Sequence, residues 1–583
     1  MAFMDDYTAW VTGLSAETNR AGVQAIIDTA LDWERRSGAT FEGEKTAIVH
    51  FTRNPGKLSG TSFTIKGEVV NPKESAKILG VVMDSQLRYK QHIARAATKG
   101  LQAAMALRRL KMISPRTARQ LFEATVAPVV DYASSVWMHA CGEKATQCLN
   151  RVQKTGAIAI TGAFRTVATA VAEAEADIRS FRERHIEKAT KLWVDIHTLP
   201  ETNPLSKLRT TMTRRFVSPL QKIAHAQQET STDHMETIHA YAVPPWTARV
   251  QVICEPDREK AMEIANRAEG ILIATSSSAK GDRVGMGGSM RDTRINDTDE
   301  TITSYSVTLE TRTKQNSYTA ELTAIAAALK CVPPLTRNRQ ITILSSNRSA
   351  LAAIRQPQQQ SGQSIIQEIY DMACIFKEGG NHVSMIWAPK HPEFALGTKA
   401  KVAAQRAATE GCEPDTRPCQ AKSTIVRLAT AKQRQEKVLP DGVGKYSKAV
   451  DKALPGRHTR ILYDGLKRKE ASVLAQLRTG MTRLNSYLSK IGAAESDMCI
   501  CGQASETIEH FLFRCTKWTT LREGMLQCTE TRRGNLSFYL GGKAPSDPER
   551  WKPDMKAVRA TIKYAMATGR LDTEGEREPD QSQ

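Results

Sequence analysis

The chain has no apolar run of 18 residues, so no helix that crosses a membrane is expected. Its first residues, MAFMDDYTAW, carry acid where a secretory leader carries a basic segment and then an apolar one, so no leader is expected and the setting reads as intracellular. Cysteine is scarce: eleven in 583 residues, mostly single, which excludes a disulfide framework. No internal repeat is present. Acid is also short, with 62 Asp and Glu against 82 Lys and Arg, for a formal charge of +20. That balance suits a polyanionic partner, and a basic surface kept for solubility accounts for it as well. What is present, 40% hydrophobic and 25% charged residues, fits globular material too long for one core, so three or more domains or subdomains are expected.

In TNRAGVQAIIDTALDWERRSG, apolar Val23, Ile26, Ile27, Ala30 and Leu31 recur at helical spacing until Gly38. The β-branched run KTAIVHFTR then predicts a strand. From Ser75 the text turns helical: a basic helix through HIARAATKGLQAAMALRRLKMI, then one started by Ser114 and Pro115 and interrupted at Pro128. Residues 226–247, with QQETSTDH and VPPW, read as a linker. Beyond it, VQVI, GILIATSSS and ITSYSVTLETRT precede a helix, SYTAELTAIAAALK, and strands and helices then alternate to about residue 410, as in an α/β layer domain. The stretch 411–480 is basic and helical, and EGEREPDQSQ has the composition of a disordered tail.

The first chemical motif is FMDD. Two adjacent carboxylates on a tight turn, Asp5 and Asp6, suit divalent cations that clamp the oxygens of nucleotidyl transfer; a solvated turn or helix cap is the alternative. FMDDYTAW, WERRSG, FEGEKTAIVHFTR, ILGVVMDSQLRYKQHIARAATKG and LNRVQKTGAIAITGAFRT together resemble a reverse transcriptase from a non-LTR (LINE-like) retrotransposon, from its palm hairpin through thumb and connection. The resemblance implies that Asp5 and Asp6 are metal-binding. It also implies that Lys45 stands near the pyrophosphate leaving group, although a solvated strand-edge lysine fits equally. The family's first catalytic aspartate and fingers have no counterpart here, so the chain is expected to be a C-terminal fragment with an incomplete metal site.

The α/β segment, in the order three strands, helix, strand, helix, strand, helix, resembles RNase H type 1. ILIATSSSAKGDRVGMGG, YTAELTAIAAAL, ITILSSNRSAL and IWAPKH align with its signatures. That family cleaves the RNA of an RNA/DNA hybrid with two Mg ions held by carboxylates. Glu321 matches the catalytic glutamate. Ser276 and Ser346 stand where aspartates are expected, GTKAKVAAQ has lysine near the fourth acid, and His391 matches the loop histidine, inert without metals. Hydroxyls cannot charge-balance two Mg ions, so weak or absent Mg binding and a catalytically defective enzyme are expected. Asp282 reads as a solvated turn residue, and the GMGG glycines as hairpin or strand-crossing positions.

CICGQASETIEHFLFRC places Cys499, Cys501, His510 and Cys515 in C-x-C-x8-H-x4-C spacing. Thiolates and imidazole suit zinc, and four ligands leave no open position, so the site reads as structural; chance clustering of buried cysteines is the alternative. It resembles the Cys-Cys-His-Cys element that ends many LINE-like proteins. Cys412 and Cys419 are too loosely spaced to form another. Lys401, Arg406, Arg427, Lys432 and Arg434, with their neighbours, either track phosphates or form a solvated helix face.

The expected fold class is therefore multidomain α/β. It comprises a partial reverse-transcriptase palm (1–70), an α-helical thumb and connection (71–225), a linker (226–247) and an RNase H-like α/β domain (248–410). A basic helical linker (411–480), a small zinc-binding element (481–545) and a C-terminal helix with a tail (546–583) complete it. The expected partners are RNA, DNA or RNA/DNA hybrid and no membrane, with zinc as structural cofactor; the resemblance implies a nuclear location. The alternatives are a non-catalytic nucleic-acid-binding protein and an active hybrid ribonuclease with atypical metal ligands.

Overall fold

Strands β1 (Ala2–Phe3) and β2 (Asp6–Tyr7) pair antiparallel at the start of the computed structural model. The structure describes residues 2–3, 6–52, 54–209, 218–227, 234–294, 303–410, 419–435, 438–548 and 550–572. The chain forms two units, one from Met1–His185 with Lys437–Gln583 and the other from Ile186–Glu436. Among the described residues no helix is long and apolar enough to cross a membrane.

In the first unit the predicted helix spans Ala16–Ser37. Ser15 and Thr18 cap it reciprocally, each side chain accepting from the other's backbone N–H, at 3.2 and 3.0 Å. Among the described residues of KTAIVHFTR, 45–52, the predicted strand does not form. Its start is a 3-10 turn, Gly43–Lys45, and isolated bonds such as Lys73 N–H to Ile48 carbonyl, 2.8 Å, hold the rest. A strand needs a ladder partner, and β-branched composition alone does not supply one. Two short antiparallel pairs follow, β3 (Phe63–Ile65) with β4 (Glu68–Val70) and β5 (Ser75–Ile78) with β6 (Val81–Asp84).

The basic helix is Lys90–Arg109, and the next begins at Pro115 behind the Ser114 cap, both as predicted. Pro128 has no N–H to donate one turn back, and the chain widens into a π turn at Phe122–Val126 just before it. Residues from Val81 to Phe181 share one hydrophobic core with residues from Leu439 to Leu571, centred on side chains such as Trp137, Phe122, Tyr463 and Phe511. Segments that the sequence sets far apart are thus built into one interior.

That interior holds Arg478, fully buried. Its Nε donates to Glu175 (2.8 Å), its Nη2 to Asp451 (2.6 Å) and its Nη1 to the Leu540 carbonyl (2.7 Å). Burial alone would raise the Asp451 pKa, but the His458 hydrogen bond and the Arg478 charge hold it below the usual carboxylate value.

The second unit is built on a six-stranded sheet. Its strands are β7 (Gln251–Ile253), β8 (Ile271–Lys280), β9 (Arg283–Asp292), β10 (Thr303–Thr311), β11 (Gln340–Ser345) and β12 (His382–Trp387), in the order β10-β9-β8-β11-β12-β7. β8, β9 and β10 are antiparallel, whereas β8, β11, β12 and β7 run parallel. Of the three strands expected before the helix, GILIATSSS is β8 and ITSYSVTLETRT is β10, and β9 between them is a further strand that the sequence reading does not name. VQVI forms the extra edge strand β7, joined to β8 by a helix at Arg258–Asn266 that the sequence reading does not foresee.

Helices Ser317–Cys331 and Gln363–Glu378 contribute Leu322, Ile325 and Ile366 to one core with Ile341, Ile343 and Met385 of the sheet. The GMGG glycines lie inside β9; a close helix explains Gly285 and Gly287, and the Tyr305 ring of β10 explains Gly288. A Cβ on Gly285 would stand 2.5 Å from Ala408 N, and one on Gly287 2.5 Å from Ala404 N, so helix Ala395–Glu410 lies flush against the strand. Residues in the expected linker are firmly held: the buried Glu236 carboxylate accepts from Ser361 Oγ (2.5 Å), Gly362 N–H (2.7 Å) and Lys422 N–H (2.6 Å).

Candidate functional site

Asn316 caps helix Ser317–Cys331, accepting from the N–H groups of Tyr318 (2.9 Å) and Thr319 (3.1 Å), and so fixes Glu321 one turn into the helix against the sheet. Glu321 is 1% exposed. Its Oε1 accepts from Thr275 Oγ1 at 2.8 Å and Ser345 Oγ at 2.7 Å. Thr275 and Ser345 are direct cross-strand partners, so their side chains share a face.

The hydroxyls beside Glu321 therefore belong to the residues immediately before Ser276 and Ser346. Ser276 is paired with Gly287, whose missing side chain would meet helix Ala395–Glu410, so Ser276 belongs to the opposite face of the sheet. Ser346 follows the end of β11, half-buried, and its carbonyl accepts from Trp387 Nε1 at 3.3 Å. His391 is exposed, with Nδ1 3.9 Å from Glu393. The sequence reading missed Thr275 and Ser345, although the alternation of strand residues was a usable signal.

The other candidates are not drawn together. Asp5 lies outside the described residues, and Asp6 is exposed on β2, paired with Phe3. Lys45 is exposed and paired with Glu42 at 2.7 Å, a hydrogen bond that raises its pKa. It stands on the 3-10 turn instead of the expected strand edge. Lys401 and Arg406 are exposed on helix Ala395–Glu410. Arg427, on helix Lys422–Gln435, donates to the Arg312 carbonyl at 2.7 Å; Lys432 is exposed on the same helix, and the Arg434 side chain lies outside the described residues.

Among the described residues, one group of His, Cys, Asp and Glu side chains is close enough to hold a metal ion: Cys499, Cys501, His510 and Cys515, whose ligand atoms lie within 4.8 Å of one another. Cys499 Sγ is 3.6 Å from Cys515 Sγ, and Cys501 Sγ is 3.3 Å from His510 Nε2. A tetrahedral zinc, with bonds of about 2.3 Å to sulfur and about 2.0 Å to nitrogen, has sulfur–sulfur and sulfur–nitrogen edges of about 3.8 and 3.5 Å, so these two separations fit zinc. The sulfur separation is far beyond the roughly 2.05 Å of a disulfide.

Local folding explains the grouping. The Gly502 N–H closes a turn onto the Cys499 carbonyl at 2.8 Å, and Gly502 takes φ 73°, a conformation that favours glycine. His510–Arg514 forms a π turn whose Phe511 and Leu512 enter the core, while the Cys515 N–H returns to the His510 carbonyl at 2.7 Å. A backbone hydrogen bond at Gln503 holds the Cys501 thiol down to about 6, and burial pushes Cys499 up to about 12. A bound cation would favour the thiolate at both.

No protein-family model matches the chain, and no curated protein does. Among solved structures it is similar to the N-terminal RNase H domain of a Mycobacterium tuberculosis protein, at 14% identity and a TM-score of 0.20, over 24% of this chain and 94% of that one. It is likewise similar to an RNase H1 from the archaeon Halobacterium salinarum, at 13% identity and a TM-score of 0.19, over 24% and 96% of the two chains. At these values the functional reading rests on the chain's own strand order and side chains.

Proposed function

We propose that the chain is a nucleic-acid-binding protein derived from a non-LTR (LINE-like) reverse transcriptase, whose RNase H-like sheet engages RNA/DNA hybrids without hydrolysing them. The observation that carries this reading is the setting of Glu321. Two-metal hydrolysis needs several carboxylates around the ions, and this carboxylate meets two neutral hydroxyls, those of Thr275 and Ser345. The strand order supports the fold side of the reading, and the formal charge of +20 supports a polyanionic partner. The zinc-type ligand set supports a structural role for zinc in the first unit, with all four positions filled by protein.

The test is a labelled RNA/DNA hybrid incubated with full-length protein and Mg or Mn. Salt-sensitive binding without cleavage is the expected result. Mg-dependent cleavage that disappears in Glu321→Gln overturns the proposal in favour of an active ribonuclease with unusual ligands.

A further inference from the structure

β11, β12 and β7 run in one direction and end at Ser345, Trp387 and Ile253. The segments that leave such parallel ends are where open α/β sheets take their ligands. Arg348 ties the three ends together. Its guanidinium carbon stands 3.6 Å from the centroid of the Trp387 ring, and its Nη2 donates to the carbonyls of Glu255 (3.4 Å) and Pro256 (3.3 Å), just beyond β7. Trp387 is itself fixed by its bond to the Ser346 carbonyl. Arg258 joins the neighbouring loop, its Nη2 donating to the Lys390 carbonyl at 2.8 Å.

Arg348, Arg258 and Lys390 are all exposed, and the acids closest in sequence are committed to backbone amides. Glu255 Oε1 accepts from the Asp257 N–H at 3.1 Å, and Asp257 Oδ1 from the N–H groups of Glu259 (2.9 Å) and Lys260 (3.1 Å). Asp257, Glu259 and Glu393 are the exposed acids nearby, with Asp257 and Glu259 at the start of helix Arg258–Asn266 and Glu393 near His391. Among the described residues the contacts of Arg348 are an aromatic ring and two carbonyls, with no carboxylate.

We infer that this cluster binds a phosphodiester of an RNA/DNA hybrid without a metal ion, with Arg348 as the group that grips it. The inference rests on the hybrid-binding reading above and names the site of contact. A guanidinium stacked on an indole is held in one orientation, so little side-chain freedom is lost when it meets a ligand. Its planar fork matches two phosphate oxygens, and the donors not engaged by the two carbonyls are available for them. A fixed cation here supplies what Glu321 and its hydroxyl neighbours cannot organise through Mg.

The experiment is fluorescence anisotropy of the full-length protein with labelled RNA/DNA hybrids of several sequences, without Mg, over a range of KCl. Arg348→Ala should weaken binding roughly tenfold for every sequence and lower the slope of log affinity against log salt by about one. Arg348→Lys, which keeps the charge without the fork, should fall between wild type and Arg348→Ala. Added Mg should change wild-type affinity no more than KCl of equal ionic strength. Unchanged affinity and slope in Arg348→Ala, beside a wild type that binds hybrid, overturn the assignment and leave the hybrid-binding reading standing. A wild type that binds no hybrid overturns both.

Discussion

Replacing Cys499 and Cys515 together by serine removes the two buried thiols of the proposed metal centre, 3.6 Å apart, and leaves Cys501 and His510 as a pair. The Cys499–Cys515 and Cys501–His510 separations are already within a few tenths of an ångström of tetrahedral edges, and all four ligand atoms lie within 4.8 Å of one another, so zinc should bind without unfolding the site. At free zinc about 1,000 times its dissociation constant, mass action adds about 4 kcal/mol to folding. For a unit this large, each kcal/mol moves the melting midpoint by about 2 °C, so the double variant should melt about 8 °C lower. Phe511 and Leu512, between the ligands, carry that loss into the main core. Elemental analysis should give one zinc per wild-type chain and none in the variant. X-ray absorption should show three sulfurs at about 2.3 Å and one nitrogen. Full zinc content in the double variant, or one melting midpoint with and without zinc, would refute the reasoning.

Further outcomes follow from the packing. Arg478→Met should cost about 3–5 kcal/mol in urea unfolding, because Glu175 and Asp451 are left buried without their cation. The folded pKa of Asp451 lies below its unfolded value, so its contribution is complete above about pH 4 and is lost as pH falls through the lower folded value. Acid titration of wild type should show this loss, and Asp451→Asn should flatten it. Gly287→Ala places a methyl 2.5 Å from Ala404 N and should destabilise the second unit by about 1–3 kcal/mol. Gly524 is exposed in helix Thr519–Leu526 with open space where a Cβ would stand, so Gly524→Ala should instead stabilise by about 0.5–1 kcal/mol.

The Cys/His cluster was legible because its members are close in sequence. A short turn and a π turn bring Cys499, Cys501, His510 and Cys515 together, while Phe511 and Leu512 anchor the element in the core. Glu321 was legible for a related reason: its helix is long and capped, and its motif is local. The residues that meet it were not, because adjacent strand positions point to opposite faces. Ser276 and Ser346 are one residue away from Thr275 and Ser345, and only the pairing of β8 with β11 under the Glu321 helix selects between them. The stretch KTAIVHFTR failed as a strand for want of a partner, which composition cannot reveal.

Amino-acid order alone therefore marked out the Cys/His cluster, much of the alternation of strands and helices in the second unit, and the net basic charge. Tertiary structure decided which hydroxyls face Glu321, that Arg348 stacks on Trp387, and that residues from Val81 to Phe181 share a core with those from Leu439 to Leu571. The division follows range. Capping, turns and ligand spacing act over a few residues, whereas sheet register, facing and shared burial depend on partners tens to hundreds of residues away.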